Sequence, residues 1–128
     1  MPLERIQPHG LQDSPLYTHV IKAGNTVYIA GQIAVDHDSH VVGRGDITAQ
    51  ATQVFENLQR ALTAAGADWS HLAKITIYAT DAGFRNPITD VRRRYLGSPV
   101  PVTSTFVVVA GLALPELLVE IDAVAVLD

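Results

Sequence analysis

Polar and apolar positions along this chain change period several times, and each change predicts an element. Tyr17 to Lys22 and Thr26 to Ile33 are rich in β-branched and aromatic residues. They predict two strands of a hairpin around Ala23-Gly24-Asn25. Asp36 to Gly45 is polar and glycine-containing, which is loop chemistry, with Val41 and Val42 as a short third strand. Ile47, Ala51, Val54, Phe55, Leu58, Ala61, Leu62 and Ala65 then recur at steps of three and four. Gln50, Gln53, Asn57, Gln59 and Arg60 take the other side. This spacing predicts an amphipathic helix of about five turns, with Asp46 or Thr48 to cap its start and Gly66 to end it. Ala73 to Thr80 alternates as a strand does. Asn86-Pro87 marks a helix start, Ile88, Val91 and Tyr95 form its buried stripe, and Gly97 ends it. Ser98-Pro99-Val100-Pro101 cannot be helical. Thr103 to Ala110 and Leu117 to Leu127 are apolar runs separated by Gly111-Leu112-Ala113-Leu114-Pro115. The first sixteen residues, with three prolines and no period, read as an irregular arm.

The order β-β-(β)-α-β-α-β-β predicts an α+β layer, one mixed sheet with both helices on a single face. The last two strands are apolar on nearly both sides, and such strands need two covers. Two helices supply one. A second copy of the chain is the expected other cover.

Composition narrows the class without naming the chemistry. With 128 residues the chain is the size of one domain, residues 1–128. It is 48% hydrophobic and 17% charged, enough for a real core, so general disorder is excluded. A formal net charge of −4 argues against nucleic-acid binding. There is no cysteine, which removes thiol nucleophiles and suits a reducing cytoplasm. Met1 to Arg5 lacks a signal-peptide pattern, and no apolar run approaches the ~20 residues a membrane helix needs. A cytoplasmic protein without membrane or nucleic-acid partners is therefore expected.

Few residues stand out as chemical. Glu120 and Asp122 lie at i and i+2 of the last strand and share a face. A carboxyl group held there has its pKa raised by desolvation and can orient water or shuttle a proton; otherwise both acids line a solvated or intersubunit face and pair with an arginine. Gly31 interrupts a good strand and marks a bulge or a close approach to the backbone. Tyr17 offers a hydroxyl to a ligand, or packs. Thr103, Ser104 and Thr105 form a hydroxyl cluster that binds a carboxylate or caps neighbouring backbone. Asp36-His37-Asp38-Ser39-His40 has metal-ligand residue types, but in a polar loop its expected role is a turn. Arg92-Arg93-Arg94 reads as a solvated basic face.

Four segments together resemble the RidA/YjgF family of reactive-intermediate deaminases, also described as endoribonuclease L-PSP-like. They are YIAGQIAVD (28–36), QATQVFENLQRALTAAGA (50–67), KITIYATD (74–81) and LALPELLVEIDAVAV (112–126). The resemblance implies a chorismate-mutase-like fold and a homotrimer with an inner β-barrel, outer helices and three clefts at subunit interfaces. It implies no cofactor; no metal site is expected from the Asp36 to His40 loop. It implies hydrolysis of small enamines or imines, such as 2-aminoacrylate, to a 2-keto acid and ammonia. Glu120 matches the glutamate that positions the attacking water. Tyr17 matches the aromatic residue that reaches a neighbouring subunit's cleft. Gly31 matches the glycine whose backbone lines the site, with Ala30 where the family has serine. One departure matters. Family deaminases carry an arginine in a P-x-R-[ST]-x-V pattern, where it grips the substrate carboxylate. Here Thr103 or Ser104 stands at that position, Thr105 or Phe106 replaces a frequent cysteine, and Thr89 replaces a frequent asparagine. A charge-assisted pair of that kind contributes about 1.5–3 kcal/mol, and hydroxyls do not replace it. The chain therefore resembles an arginine-lacking subgroup, and hydrolysis of 2-iminopropanoate is not expected. Two functions fit: an enzyme acting on a different small imine or related reactive metabolite, and a non-catalytic trimer that binds a metabolite or protein in the same clefts.

Overall fold

The computed structural model describes residues 2–97 and 101–128. Met1, Ser98, Pro99 and Val100 lie outside the described residues, so the helix break read at 98–100 does too. The elements are β1 (Glu4–Ile6), β2 (Val20–Ala23), β3 (Thr26–Ile33), α1 (Ile47–Ala64), β4 (Leu72–Ala79), α2 (Arg85–Leu96), β5 (Thr103–Val108) and β6 (Val119–Val126). One mixed sheet runs β1-β2-β3-β6-β4-β5. Only β4 and β5 pair parallel; every other neighbour is antiparallel. The α+β layer predicted from patterning is present. The last strand, β6, has gone to the centre, between β3 and β4.

Burial explains that position. Val119, Ile121, Ala123 and Ala125 of β6 are all buried, as are Ile75, Ile77 and Ala79 of β4 and Val27 and Ile29 of β3. They form the floor on which the helices lie. From above, α1 contributes Val54, Phe55, Leu58, Ala61 and Leu62, and α2 contributes Ile88 and Val91, all buried. Phe55 stacks on Tyr95 with centroids 5.4 Å apart, and Trp69 packs edgewise against Tyr95 at 5.8 Å, joining the helices. The Tyr95 hydroxyl donates to Glu56 Oε1 at 2.7 Å. Burial, and then that carboxylate, push the phenol up to about 12.

Helix ends follow side-chain chemistry. Asp46, rather than Thr48, caps α1: its Oδ1 accepts the Ala49 N–H at 3.0 Å. Gly66 follows the last turn at φ 77°, a left-handed conformation that glycine adopts without strain. For α2 the expectation is corrected. Asn86 does not cap it, because a 3₁₀ turn at Ala82–Phe84 leads straight into Arg85. No side chain caps α2 itself; Asp81 caps the 3₁₀ turn before it, accepting from Gly83 N at 2.7 Å.

Four further expectations are corrected. The arm is not wholly irregular: Glu4, Arg5 and Ile6 pair with Lys22, Ile21 and Val20. Three residues are too few for a readable period. The first hairpin strand begins at Val20 instead of Tyr17, and the third strand is a single bridge, Val35 to Val41. The polar side of α1 is also misread by periodicity. Gln50 and Asn57 are buried, at 0% and 3% exposure. Gln50 accepts the Leu118 N–H at 2.8 Å and donates to Glu116 O at 2.9 Å and Gly43 O at 3.2 Å. Asn57 donates to Ile33 O and Val35 O, both at 3.0 Å. Each amide supplies bonds to backbone where a strand leaves the ladder. Gln50 thereby tethers the start of β6, and Asn57 the end of β3.

The opposite face of the sheet carries no helix. Tyr28, Val107 and Val126 are 53%, 38% and 47% exposed there. β5 forms one edge of the sheet and is open along nearly its whole length in the single chain. Replacing Gln50 with alanine strands the Leu118 N–H and two carbonyls. The variant is expected to lose about 1–3 kcal/mol in urea denaturation, more than Gln59→Ala on the exposed side.

Candidate functional site

The site begins with a fault in the β3–β6 ladder. Ile29 pairs with Ala123 and Gln32 with Ile121, so Ala30 and Gly31 together oppose Asp122. This two-for-one count is a β-bulge, one of the alternatives that a glycine inside a strand predicts. The second alternative holds as well. A Cβ built on Gly31 would lie 2.7 Å from Glu120 Cδ and closer still to Oε2. The Glu120 carboxyl therefore occupies the space that a residue-31 side chain would fill.

Glu120 and Asp122 both point to the helix-free face, since the residues alternating with them are the buried ones. Their surroundings differ. Tyr78 donates its hydroxyl to Asp122 Oδ2 at 3.1 Å, and that carboxylate raises the phenol's pKa. The Glu120 carboxyl has no hydrogen-bond partner among the described residues. Burial raises its pKa above the ordinary glutamate value, and the nearby Asp122 raises it further. Glu120 opens into a cavity of about 300 Å³, lined also by Tyr17, Ala30, Gly31, Ile33 and Ala113.

The loop carrying Tyr17 is held by a buried histidine. His19 Nδ1 meets the Gln32 amide at 3.0 Å and Nε2 meets Gln12 O at 2.7 Å. A carbonyl can only accept, so Nε2 carries the hydrogen and Nδ1 accepts from Gln32. Tyr17 stands edge-on to that ring, with centroids 5.2 Å apart. The imidazole thus ties the N-terminal arm to β3 and sets one wall of the cavity.

A family profile described as Endoribonuclease L-PSP matches residues 10–127. The chain belongs to this family, RidA/YjgF. It is 39% identical over 107 residues to Protein DfrA of Myxococcus xanthus, covering 83% of this chain and 79% of that one. It is 31% identical over 111 residues to the human 2-iminobutanoate/2-iminopropanoate deaminase, covering 86% and 79%. The solved structure of RidA from Psychrobacter superposes with a TM-score of 0.88 at 31% identity, covering 97% and 99%.

Of the residues that the RidA/YjgF resemblance nominates, the single chain brings Glu120, Gly31 and Tyr17 into one cavity. The resemblance assigns Tyr17 to a neighbour's cleft; within the single chain it lines the cavity of its own Glu120. The hydroxyl cluster is elsewhere. Glu120 pairs with Tyr78 and Tyr78 with Val107, so Thr105 and Thr103 lie two and four residues further along the edge strand. Thr103 donates to Ala73 O at 2.9 Å, which is backbone capping. Ser104 faces the helix layer and receives Arg92 Nη1 at 2.9 Å. The arginine triplet is thus not a uniformly solvated face. Arg93 sits 3.9 Å from Asp90, whereas Arg92 folds inward to β5. In the loop of Asp36, Asp38 and His40, Asp36 Oδ1 accepts the N–H groups of both Asp38 and His40 at 3.0 Å. That carboxylate closes a turn, the role its loop position predicts.

Sequence reasoning missed His19, Gln32 and Asn57 as supports of the site. Gln32 carried the one readable signal, a polar residue at the end of an apolar strand. Gly31→Ala is expected to fold, because the displaced atoms are the end of a flexible side chain, while moving the Glu120 carboxyl into water. Carboxyl-resolved NMR titration then returns the Glu120 midpoint toward the ordinary glutamate value. Asp122→Asn removes a neighbouring negative charge, so the same titration is expected to shift the Glu120 midpoint to lower pH. A midpoint unchanged in both variants contradicts this account.

Proposed function

We propose that the chain assembles as a homotrimer and hydrolyses a small enamine or imine in clefts between protomers, with Glu120 positioning the water. The observation that carries this reading is the half-buried Glu120 carboxyl, without a partner among the described residues, facing a cavity beside the side-chain-free backbone of Gly31. Relatives at similar identity are named 2-iminobutanoate/2-iminopropanoate deaminases.

In this mechanism Glu120, ionised, accepts a hydrogen bond from a water set against the imine carbon. The water oxygen bonds to that carbon as its proton passes to Glu120, and the C=N electron pair moves to nitrogen. With the imine protonated at the outset, the carbinolamine nitrogen takes the proton back from Glu120 and leaves as ammonia, while the hydroxyl proton passes to Glu120 and then to water and the C–O bond becomes a carbonyl. Burial suits this cycle, because it makes Glu120 a stronger base once ionised and a ready proton donor afterwards. Tyr17 closes the cavity and the Gly31 backbone lines it. Thr103 and Thr105, on the open face of the edge strand, are candidates for the wall that a second protomer supplies. The exposed Tyr28, Val107 and Val126 give that protomer an apolar surface to cover. Because Thr103 or Ser104 stands at the arginine position of the deaminating pattern, a substrate other than 2-iminopropanoate is expected. The same substitution supports a second reading, a non-catalytic trimer that binds a small metabolite in these clefts.

Ammonia release from freshly generated imines of several amino acids separates the readings. Glu120→Gln is expected to lower any detected rate by about 10²–10⁴-fold. An unchanged rate rejects the mechanism, and stabilisation by ligand without ammonia release selects the binding reading. The acid limb of the rate profile is expected above the ordinary glutamate pKa, since only ionised Glu120 accepts the proton. Stability carries the opposite sign. A raised folded pKa means that ionising Glu120 disfavours the fold as pH climbs through the unfolded and then the folded value. Glu120→Gln is therefore expected to melt no lower than the parent at neutral pH. Sedimentation at micromolar concentration tests the trimer, and a lone folded protomer overturns it.

A further inference from the structure

A second polar cavity, of about 210 Å³, lies on the other side of the sheet from Glu120, between α2 and the edge strand. Its floor is apolar, formed by Ile77, Ile88 and Phe106. Its polar lining includes Arg85, Arg92 and Ser104. In register Ser104 pairs with Ile75 and Phe106 with Ile77, both buried under the helices, so these two β5 side chains look into the helix layer.

The charges here are unbalanced. Arg92 Nη1 donates to Ser104 Oγ at 2.9 Å, but its Nε is buried with no partner among the described residues. No described carboxylate lies within salt-bridge distance of Arg85 or Arg92. The other helical pair shows what is missing: Arg93 has Asp90. Burial lowers the Arg92 pKa, and the charges of Arg85 and Arg93 lower it further. A cation partly withdrawn from water beside a like charge is unfavourable unless an anion joins it.

We propose that this pocket between α2 and β5 binds a small oxyanion, with Arg92 and Arg85 supplying the charge and Ser104 a third donor. The Arg92 guanidinium lines the pocket and keeps donors beyond the one given to Ser104, in a planar fork that fits two oxygens of one oxyanion. Ser104 Oγ accepts from Arg92, so its own hydrogen is free to donate to the ligand. The apolar floor favours a carboxylate on a short hydrocarbon chain over a free phosphate. The pocket is separate from the Glu120 cavity and does not depend on chemistry there.

The test is nitrogen-15 NMR of the arginine Nε–H signals in the intact protein, titrated with sodium propionate or inorganic phosphate at matched ionic strength. A saturable shift of the Arg92 signal, absent with sodium chloride, is expected. Saturation by propionate at lower concentration than phosphate supports the carboxylate assignment, and the reverse order assigns a phosphate ligand to the same pocket. Arg92→Gln and Arg85→Gln, each checked for an intact amide spectrum, are expected to weaken binding about tenfold or more, followed by shifts of the Ser104 amide. Glu120→Gln is expected to leave it unchanged, which separates this site from the proposed hydrolysis. No saturable shift with either anion, an equal response to chloride, or full affinity in both arginine variants overturns the proposal.

Discussion

The missing side chain at residue 31 governs the Glu120 cavity. A carboxyl group gains nothing by entering a half-buried space where no donor waits, and desolvation alone would send Glu120 outward. The backbone of β3 gives way instead, bulging at Ala30-Gly31 opposite Asp122 and leaving the volume into which Glu120 folds. The raised affinity of Glu120 for its proton follows from this placement. The rest of the chain steadies the arrangement. Asn57 holds the far end of β3, Gln50 holds the start of β6, and the His19–Gln32 pair holds the strand beside Tyr17. Polar side chains that look like surface residues thus serve as struts between helix and sheet.

The sheet separates two kinds of surface. Toward the helices it is a close-packed core, and toward the other side it presents acids, two tyrosines and bare apolar positions. Glu120 and Asp122 stand at the boundary between polar and apolar patches on that side. A neighbour lying there would remove more water from both acids and strengthen every interaction between them and a small guest. On the helix side, two guanidinium groups sit over an apolar floor at the free edge. The Glu120 carboxyl and the Arg92 guanidinium are thereby kept on opposite faces of one sheet, each with its own pocket.

Much of the architecture was legible because long elements average over local exceptions. The stripe from Ile47 to Ala65 could only be a helix, and the alternation from Ala73 to Thr80 only a strand. Glu120 and Gly31 were readable for a different reason: an acid inside an apolar strand, and a glycine inside a β-branched one, each break a pattern that otherwise holds. Gln50 and Asn57 were illegible, because a glutamine or asparagine that bonds buried backbone has the same letter as one that bonds water. The pairing at Glu4 to Ile6 was hidden by its brevity. The partner of Ser104 was hidden because a run of three arginines does not show which member turns inward.

The bulge also sets the phase of everything beyond it. Before the fault Val27 and Ile29 face the helices; after it Gln32 does, buried against His19, while Ile33 turns to the cavity. An uninterrupted pleat would exchange those two, since one residue of slip moves every later side chain to the other face. The amide would then stand beside the Glu120 carboxyl and quench it, and an isoleucine would be left against an imidazole that needs a donor. Deleting a single residue at this point would therefore act like a frameshift written in three dimensions: the composition of the strand would survive almost intact while the meaning of each remaining position was inverted.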